Sequence, residues 1–176
     1  MKTLLAISCI CISLLGCSLL MAQNGGPAKT PPMGWNSYNC FGATVTEAEV
    51  KANADFMAQH LKRYGWEYIV IDYCWFYPYP GGLNNPPQDD NYLPRLTMDN
   101  YGRLMPAIDR FPSAAGGKGF KPLADYIHSK GLKFGIHVMR GIPRQAVHDN
   151  SPILGTDVKA REIADTSSVC RRSPMN

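Results

Sequence analysis

The 176-residue sequence predicts an α/β fold built on a parallel β-sheet. Three observations predict it: strand and amphipathic-helix patterns alternate along the chain, the second strand pattern is a continuous apolar run, and polar residues follow the strands. Alternation of this kind produces parallel strands joined by right-handed helical crossovers. A continuous apolar run is typical of a parallel strand that is buried on both faces. We therefore expect three parallel strands separated by two helices.

The strands are expected within three segments of the chain. The first segment, 30–40, is an apolar stretch that we interpret as a strand and the loop that leaves it. The second, 68–72, is short and apolar and ends on a carboxylate, and the third, 132–139, is again largely apolar. The helix before the third strand has Pro122 in its first turn, where proline is tolerated, and Gly131 as its stop signal.

The helix between the first two strands has the strongest local signals. Thr46, followed three residues later by Glu49, forms a capping box, and Val45 and Val50 occupy the two positions of a hydrophobic staple. Apolar residues then recur at spacings of three and four, which produces one apolar helix face, and Gly65 ends the pattern. We expect an amphipathic helix that covers the sheet.

Two segments are predicted to be irregular. Residues 74–120 contain clusters of Pro and Gly and form a connection well beyond the usual length. Loops of this size in compact domains are commonly functional. After the third strand, residues 140–148 are predicted to form a loop, and a short helix is expected around 157–164.

Residues 1–22 have the pattern of a secretory signal peptide, with one lysine and then a nearly uninterrupted apolar run. Two processing outcomes are possible, cleavage after Ala22 and lipidation at Cys17. A third alternative is an uncleaved membrane anchor, since the apolar run approaches the ~18 residues that can span a bilayer. Residues 23–29 are a Gly- and Pro-rich linker, and 30–176 form the domain. We expect export to the periplasm or the outside of the cell, with membrane attachment only if Cys17 is lipidated.

Composition and cysteine usage exclude several classes of function. The formal charge of +4 comes from scattered Lys and Arg, so nucleic acid is not an expected partner. No Cys-x-x-Cys or His-rich spacing suggests a metal, and no cofactor is expected. Beyond the leader the cysteines are Cys40, Cys74 and Cys170, an odd number. Cys40 and Cys74 follow adjacent predicted strands, which makes them a candidate disulfide pair.

The candidate functional residues follow the three predicted strands. They are Tyr38, Asp72 with Tyr73, and His137. Because the reactive side chains of parallel α/β sheets collect at the carboxyl ends of the strands, we expect these four to be neighbours. Each also has a plain structural interpretation: an Asp there often caps a turn, a His is often hydrogen-bonded packing, and Tyr38 could belong to the core.

Five blocks of sequence resemble glycoside hydrolase family 27, the melibiase or α-galactosidase family, in order and approximate spacing. They are residues 31–39, 71–75, 101–104, 111–112 and 123–136. The resemblance implies a (β/α)8 TIM barrel, of which this sequence would supply the first three β/α units as an incomplete catalytic domain. It also implies retaining hydrolysis of terminal α-D-galactosyl residues, which needs two carboxyl groups about 5 to 5.5 Å apart.

The resemblance assigns no catalytic residue to this sequence. In the family the nucleophile is an Asp at the end of the fourth strand, and the acid/base Asp lies later still. Neither position is reached in 176 residues, so we expect this chain alone to be inactive.

Four substrate-binding positions carry over from the family, and three of them differ. Asp72 matches an Asp that hydrogen-bonds sugar hydroxyls. Tyr38 stands where many members have a sugar-stacking Trp, Tyr73 where they have a second hydroxyl-binding Asp, and His137 where they have a Tyr. These departures keep other substrates open, namely isomalto-dextran and β-L-arabinopyranosides. A non-catalytic carbohydrate-binding α/β domain is a separate alternative. In each case the expected partner is a carbohydrate.

Two arginines follow the third predicted strand in the sequence Arg-Gly-Ile-Pro-Arg. Arg140 and Arg144 either line the cleft as donors to sugar hydroxyls or form a pair on a surface loop.

Overall fold

The computed structural model describes residues 31–78, 94–139 and 141–165. Several predictions fall outside these residues, namely those on the signal peptide, the linker, Cys17, Arg140 and Cys170. From Met33 onward the described residues belong to one compact unit. In this part of the chain, no helix combines the length and the apolar character needed to cross a membrane.

Three strands form one parallel sheet, with β1 at Met33–Asn36, β2 at Trp66–Ile71 and β3 at Lys133–Ile136. β2 lies in the middle and pairs in parallel with both neighbours. This sheet confirms the predicted parallel α/β architecture. β1 and β3 are shorter than the segments predicted for them, because the flanking residues belong to the loops at either end of the strands.

The core lies on one face of the sheet. Ile69 and Ile71 of β2 are fully buried on that face, whereas Tyr68 and Val70 on the other face are half-buried. The expectation that β2 is buried on both faces is therefore met on one face only. The buried side chains packed with Ile69 and Ile71 come from the helices and from the long connection, and they include Val50, Ala54, Trp75, Phe76, Phe111, Leu123 and Ile127.

The first two helices follow β1. A short helix, α1 at Tyr38–Phe41, occupies what the sequence predicts as loop, and α2 covers Glu47–Phe56. The predicted capping box is confirmed: Thr46 Oγ1 accepts the N–H of Glu49 at 3.4 Å, and Glu49 Oε2 accepts the N–H of Thr46 at 2.8 Å. These bonds satisfy donors that the first helical turn leaves without partners.

The end of this helical segment is less regular than its apolar pattern predicts. α2 continues into a π-helical turn at Met57–Leu61 and a 3₁₀ turn at Lys62–Tyr64. The segment stops at Gly65, as predicted, with a left-handed φ of 90° that favours glycine. Val45 and Val50, the predicted staple residues, are both buried.

The second crossover ends in a regular helix, α3 at Lys121–Ser129. It begins with Pro122 in its first turn and is followed by Gly131 at a φ of 70°, as the sequence predicts. The long connection before α3 contains a 3₁₀ turn at Pro112–Ala114.

Two short helices follow β3. The loop predicted for 140–148 is wrong from Arg144 onward, because a helix, α4, covers Arg144–Asp149. Tertiary contacts hold α4 in place: the buried Gln145 side chain accepts the N–H of Leu96 at 2.8 Å and donates to the carbonyl of Leu96 at 3.3 Å. Six residues are too few for a periodic pattern to reveal such a helix. The short helix expected around 157–164 is present as α5, at Ala160–Ile163.

A buried arginine fixes the long connection to the rest of the fold. The guanidinium of Arg110 donates to three backbone carbonyls: that of Val45 from two nitrogens at 2.8 and 3.1 Å, that of Cys74 at 2.7 Å and that of Tyr77 at 3.1 Å. Burial lowers the pKa of Arg110 to about 10, which still leaves the side chain charged at neutral pH. One side chain thus joins the loop before α2 to the loop after β2.

Candidate functional site

The structure brings the four predicted residues together at the carboxyl end of the sheet. Asp72 directly follows β2, His137 directly follows β3, and Tyr38 is the first residue of α1. His137 Nδ1 lies 2.7 Å from Asp72 Oδ1, and the hydroxyls of Tyr73 and Tyr38 are 3.3 Å apart. The rings of Tyr38 and Tyr73 are stacked, with centroids 5.3 Å apart and planes 24° apart.

Backbone pairing between the strands continues past their ends and positions this cluster. The N–H of Ser37 donates to the carbonyl of Val70 at 3.0 Å, and the N–H of His137 donates to that of Ile71 at 2.8 Å. The fully buried Ser37 also accepts the N–H of Asp72 on its side-chain oxygen, at 3.0 Å. The functional side chains are therefore attached to a continuation of the sheet rather than to free loops.

A buried tryptophan ties the loop after β2 to the end of β3. The indole N–H of Trp75 donates to the backbone carbonyl of His137 at 2.9 Å. The backbone N–H of His137 also donates to Ile71, so the His137 backbone is held on both sides. Half of the His137 side chain stays exposed.

Asp72 is an ionised acceptor at neutral pH. Burial favours its neutral form, but hydrogen bonds from the N–H of Tyr73, from His137 and from Asn36 outweigh burial and hold the pKa of Asp72 below its ordinary value. The Tyr73 bond is 2.6 Å long and reaches the same oxygen, Oδ1, that contacts His137. Hydrogen bonds to the charged form of a carboxyl group act in this direction.

Tyr73 is a neutral hydrogen-bonding group. Burial, followed by its hydrogen bond to the Tyr38 hydroxyl, raises the pKa of Tyr73 well above its ordinary value. Its ring also meets the ring of His137 edge-on, at a centroid distance of 6.1 Å and an angle of 87°. The phenol therefore stands between the other two rings and contacts both.

The cluster has the composition of a sugar-binding site. It combines a carboxylate that accepts hydrogen bonds, an imidazole, and two aromatic faces with hydroxyl groups. It contains one carboxylate, whereas retaining hydrolysis needs two, so these four residues alone do not supply the catalytic pair. Among the residues that the structure describes, no group of three His, Cys, Asp or Glu side chains could hold a metal ion.

Two other sequence predictions meet a different outcome. The disulfide between Cys40 and Cys74 is not formed in the structure: Cys40 lies exposed on α1, whereas Cys74 is turned into the core. Arg144 is the first residue of α4 and not part of a loop.

Sequence reasoning missed the supporting residues Ser37, Trp75 and Arg110. Ser37 and Trp75 lie inside the blocks that resemble the family, which is the one signal that could have drawn attention to them. The contacts that give them their roles join segments far apart in the chain.

Comparisons with known proteins place this geometry in a family. The family model described as alpha galactosidase A matches residues 81–167. Among curated proteins, alpha-galactosidase 3 of Arabidopsis thaliana is 37% identical over 129 residues, which cover 73% of this chain and 24% of that protein.

Solved structures are more similar. A family 27 β-L-arabinopyranosidase from Geobacillus stearothermophilus is 65% identical with a TM-score of 0.76, over 81% of this chain and 32% of that one. A variant of the same enzyme in complex with arabinose is 64% identical with a TM-score of 0.75, over the same shares. This chain thus spans about a quarter of the curated relative (24%) and about a third of the solved enzyme (32%). The matched family model, the curated relatives and the solved structures agree, and the chain belongs to glycoside hydrolase family 27.

Proposed function

We propose that this chain supplies the sugar-binding end of a retaining glycosidase that releases terminal β-L-arabinopyranosyl residues. The observation that carries the proposal is Tyr73, whose neutral phenol stacks on Tyr38 beside the ionised Asp72. The 65% identity to a β-L-arabinopyranosidase, against 37% to a curated α-galactosidase, supports the same substrate.

The two sugars differ in one substituent. A β-L-arabinopyranoside has the ring stereochemistry of an α-D-galactopyranoside but lacks the exocyclic hydroxymethyl group. The smaller sugar therefore has one hydroxyl fewer to be bound. At the position where the family resemblance implies a second carboxylate, this chain has a bulky phenol whose hydroxyl already contacts Tyr38 at 3.3 Å. If the hydroxymethyl group of a galactoside is directed to this position, it loses its acceptor and meets the Tyr73 ring, and a hydroxyl buried without a partner costs about 1–3 kcal/mol.

Hydrolysis of α-D-galactosides is the second candidate, and the names of the curated relatives favour it. Action on isomalto-dextran stays a prediction from the family resemblance, and a non-catalytic carbohydrate-binding α/β domain stays a separate hypothesis. Asp72 serves each of these functions in the same way, as an acceptor for sugar hydroxyls.

A chimera tests the proposal. Residues 33–165 of this chain replace the matching stretch of the Geobacillus stearothermophilus enzyme, and kcat/KM is measured on an aryl β-L-arabinopyranoside and on an aryl α-D-galactoside. We expect a preference for the pentoside of roughly tenfold or more, because about 1.4 kcal/mol corresponds to tenfold.

The matched control carries Tyr73→Asp in the same chimera. It should lose the preference and gain activity on the galactoside, because it restores an acceptor-only group of smaller size. If the chimera with Tyr73 intact prefers the galactoside, the proposed arabinopyranosidase activity is wrong and hydrolysis of α-D-galactosides is favoured instead.

Export is part of the same proposal, since the apolar leader predicts it. Mass spectrometry of the mature protein distinguishes a new terminus after Ala22 from a lipid on Cys17. A chain that keeps residues 1–22 and stays in the cytoplasm would contradict export.

A further inference from the structure

We infer that His137 has one fixed tautomer, with the proton on Nδ1, and that its Nε2 accepts a hydrogen bond from a sugar hydroxyl next to the one that Asp72 binds. This inference rests on the proposed sugar site. It adds that the site presents two hydrogen-bond acceptors side by side, and that the sugar donates to both.

The contact between His137 and Asp72 fixes the tautomer. An ionised carboxylate accepts hydrogen bonds and cannot donate them. Because the two atoms lie 2.7 Å apart, the proton between them must belong to Nδ1 of His137. A neutral imidazole carries one ring proton, so Nε2 is left with a free lone pair.

The surroundings hold the imidazole in this orientation. The His137 backbone is bonded on both sides, by its own N–H to Ile71 and by the indole of Trp75 to its carbonyl. Tyr73 meets the ring edge-on, and the Tyr73 hydroxyl is directed to Tyr38 rather than to the imidazole. The side chain nevertheless remains 50% exposed, which leaves the imidazole accessible to a ligand.

The hydrogen bonds at Asp72 leave part of its acceptor capacity for a second sugar hydroxyl. The N–H of Tyr73 and Nδ1 of His137 both reach Oδ1 of Asp72. A carboxylate has about four lone-pair sites on two oxygens, and Tyr73, His137 and Asn36 use three of them, so capacity for one sugar hydroxyl remains. The ligand class that matches is a pyranose with two neighbouring free hydroxyls, and O-methylation of either one should abolish its hydrogen bond.

Nitrogen NMR of the full-length chain labelled at histidine tests the tautomer directly. The sequence has four histidines, and loss of one signal set in His137→Asn assigns His137. At alkaline pH we expect the Nδ1–H pattern, and a shift of the Nε2 signal when L-arabinose is added. An Nε2–H pattern would overturn the inference.

Other outcomes separate this inference from the proposed function. A second sample, labelled at tyrosine and tryptophan, reports on Tyr73 and Trp75. If L-arabinose shifts their signals but leaves His137 Nε2 unmoved in the first sample, the His137 inference is wrong and the sugar site stands. If L-arabinose moves none of these signals, the sugar site itself is overturned.

Two variants separate sugar contact from mere positioning of Asp72. Asn at position 137 can reproduce Nδ1–H but does not reach as far as Nε2, whereas Gln reaches that far but gives up the contact with Asp72. We expect His137→Asn to weaken L-arabinose binding by about tenfold and His137→Gln by less, since one lost hydrogen bond corresponds to roughly that factor. The reverse order would mean that His137 acts only by holding Asp72. Thermal unfolding of both variants controls for folding, and the tautomer measurement on the unmodified chain is independent of either variant.

Discussion

Replacing Arg110 with methionine removes the guanidinium that joins the loop before α2 to the loop after β2, while an apolar side chain of similar length remains. Four hydrogen bonds are lost, two to the carbonyl of Val45 and one each to those of Cys74 and Tyr77. The carbonyl of Cys74 keeps a second donor, the N–H of Tyr77 at 2.9 Å. The main penalty therefore falls on Val45, whose carbonyl loses two donors at once.

The magnitude follows from these four bonds. At about 0.5–1.5 kcal/mol net for each, their loss costs roughly 2–6 kcal/mol. Removing a buried charge returns part of its desolvation penalty, so we expect about 2–3 kcal/mol of destabilisation. Arg110→Lys should lose nearly as much, because an ammonium group is compact and cannot reach all three carbonyls at once.

Urea unfolding followed by tryptophan fluorescence measures the loss, since Trp75 is buried in the core. Arg103→Met is the matched control: that side chain is 62% exposed and pairs with Asp99, so its loss should cost below about 1 kcal/mol. An Arg110→Met protein within about 0.5 kcal/mol of the unmodified chain would refute the reasoning.

Three further predictions concern the sheet, helix α2 and the site. Gly34→Ala should destabilise the chain by about 1–3 kcal/mol, because a Cβ there would lie 2.5 Å from the carbonyl oxygen of Tyr68. Gly135→Ala is the control, since its Cβ would meet nothing closer than 3.4 Å. Equal urea midpoints for the two variants would contradict the steric argument. Thr46→Ala should cost about 1 kcal/mol in the same assay, and no change would mean that the capping box does not stabilise α2. Because the pKa of Asp72 is lowered, its ionised contacts stabilise the fold above the ordinary value of about 3.9 and are lost as the pH falls through the lower folded value. Asp72→Asn should therefore flatten the acid limb of the unfolding free energy against pH, and superimposable curves would argue against this contribution.

The sequence predicts features whose signals are local. The capping box at Thr46 and the stop at Gly65 depend on residues a few positions apart, and both are present in the structure. The parallel sheet is predicted from the alternation of strand and helix patterns. The neighbourhood of Asp72 and His137 follows from topology, because adjacent parallel strands end at the same edge of a sheet.

Features that depend on contacts between distant segments were not predicted. α4 is held by the pairing of Gln145 with Leu96, 49 positions apart, and nothing in its six residues indicates a helix. In the sequence, Arg110 is one of many scattered charged residues, and only the structure reveals the backbone carbonyls that it binds. Strand adjacency suggested that Cys40 and Cys74 could pair, but it does not fix which way each side chain points, and here one points to solvent and the other into the core.

The backbone pairing that continues past the strand ends also bears on how such a site can change over evolution. The backbone N–H groups of Ser37 and His137 bond to main-chain carbonyls, and that of Asp72 bonds to the buried Ser37 hydroxyl, so none of the three uses Tyr38 or Tyr73 as a partner. Side chains such as Tyr38 and Tyr73 can be exchanged on this fixed frame without rebuilding a loop. Under the proposed function, substrate preference can therefore change through single substitutions at these two positions while the backbone that carries them stays the same.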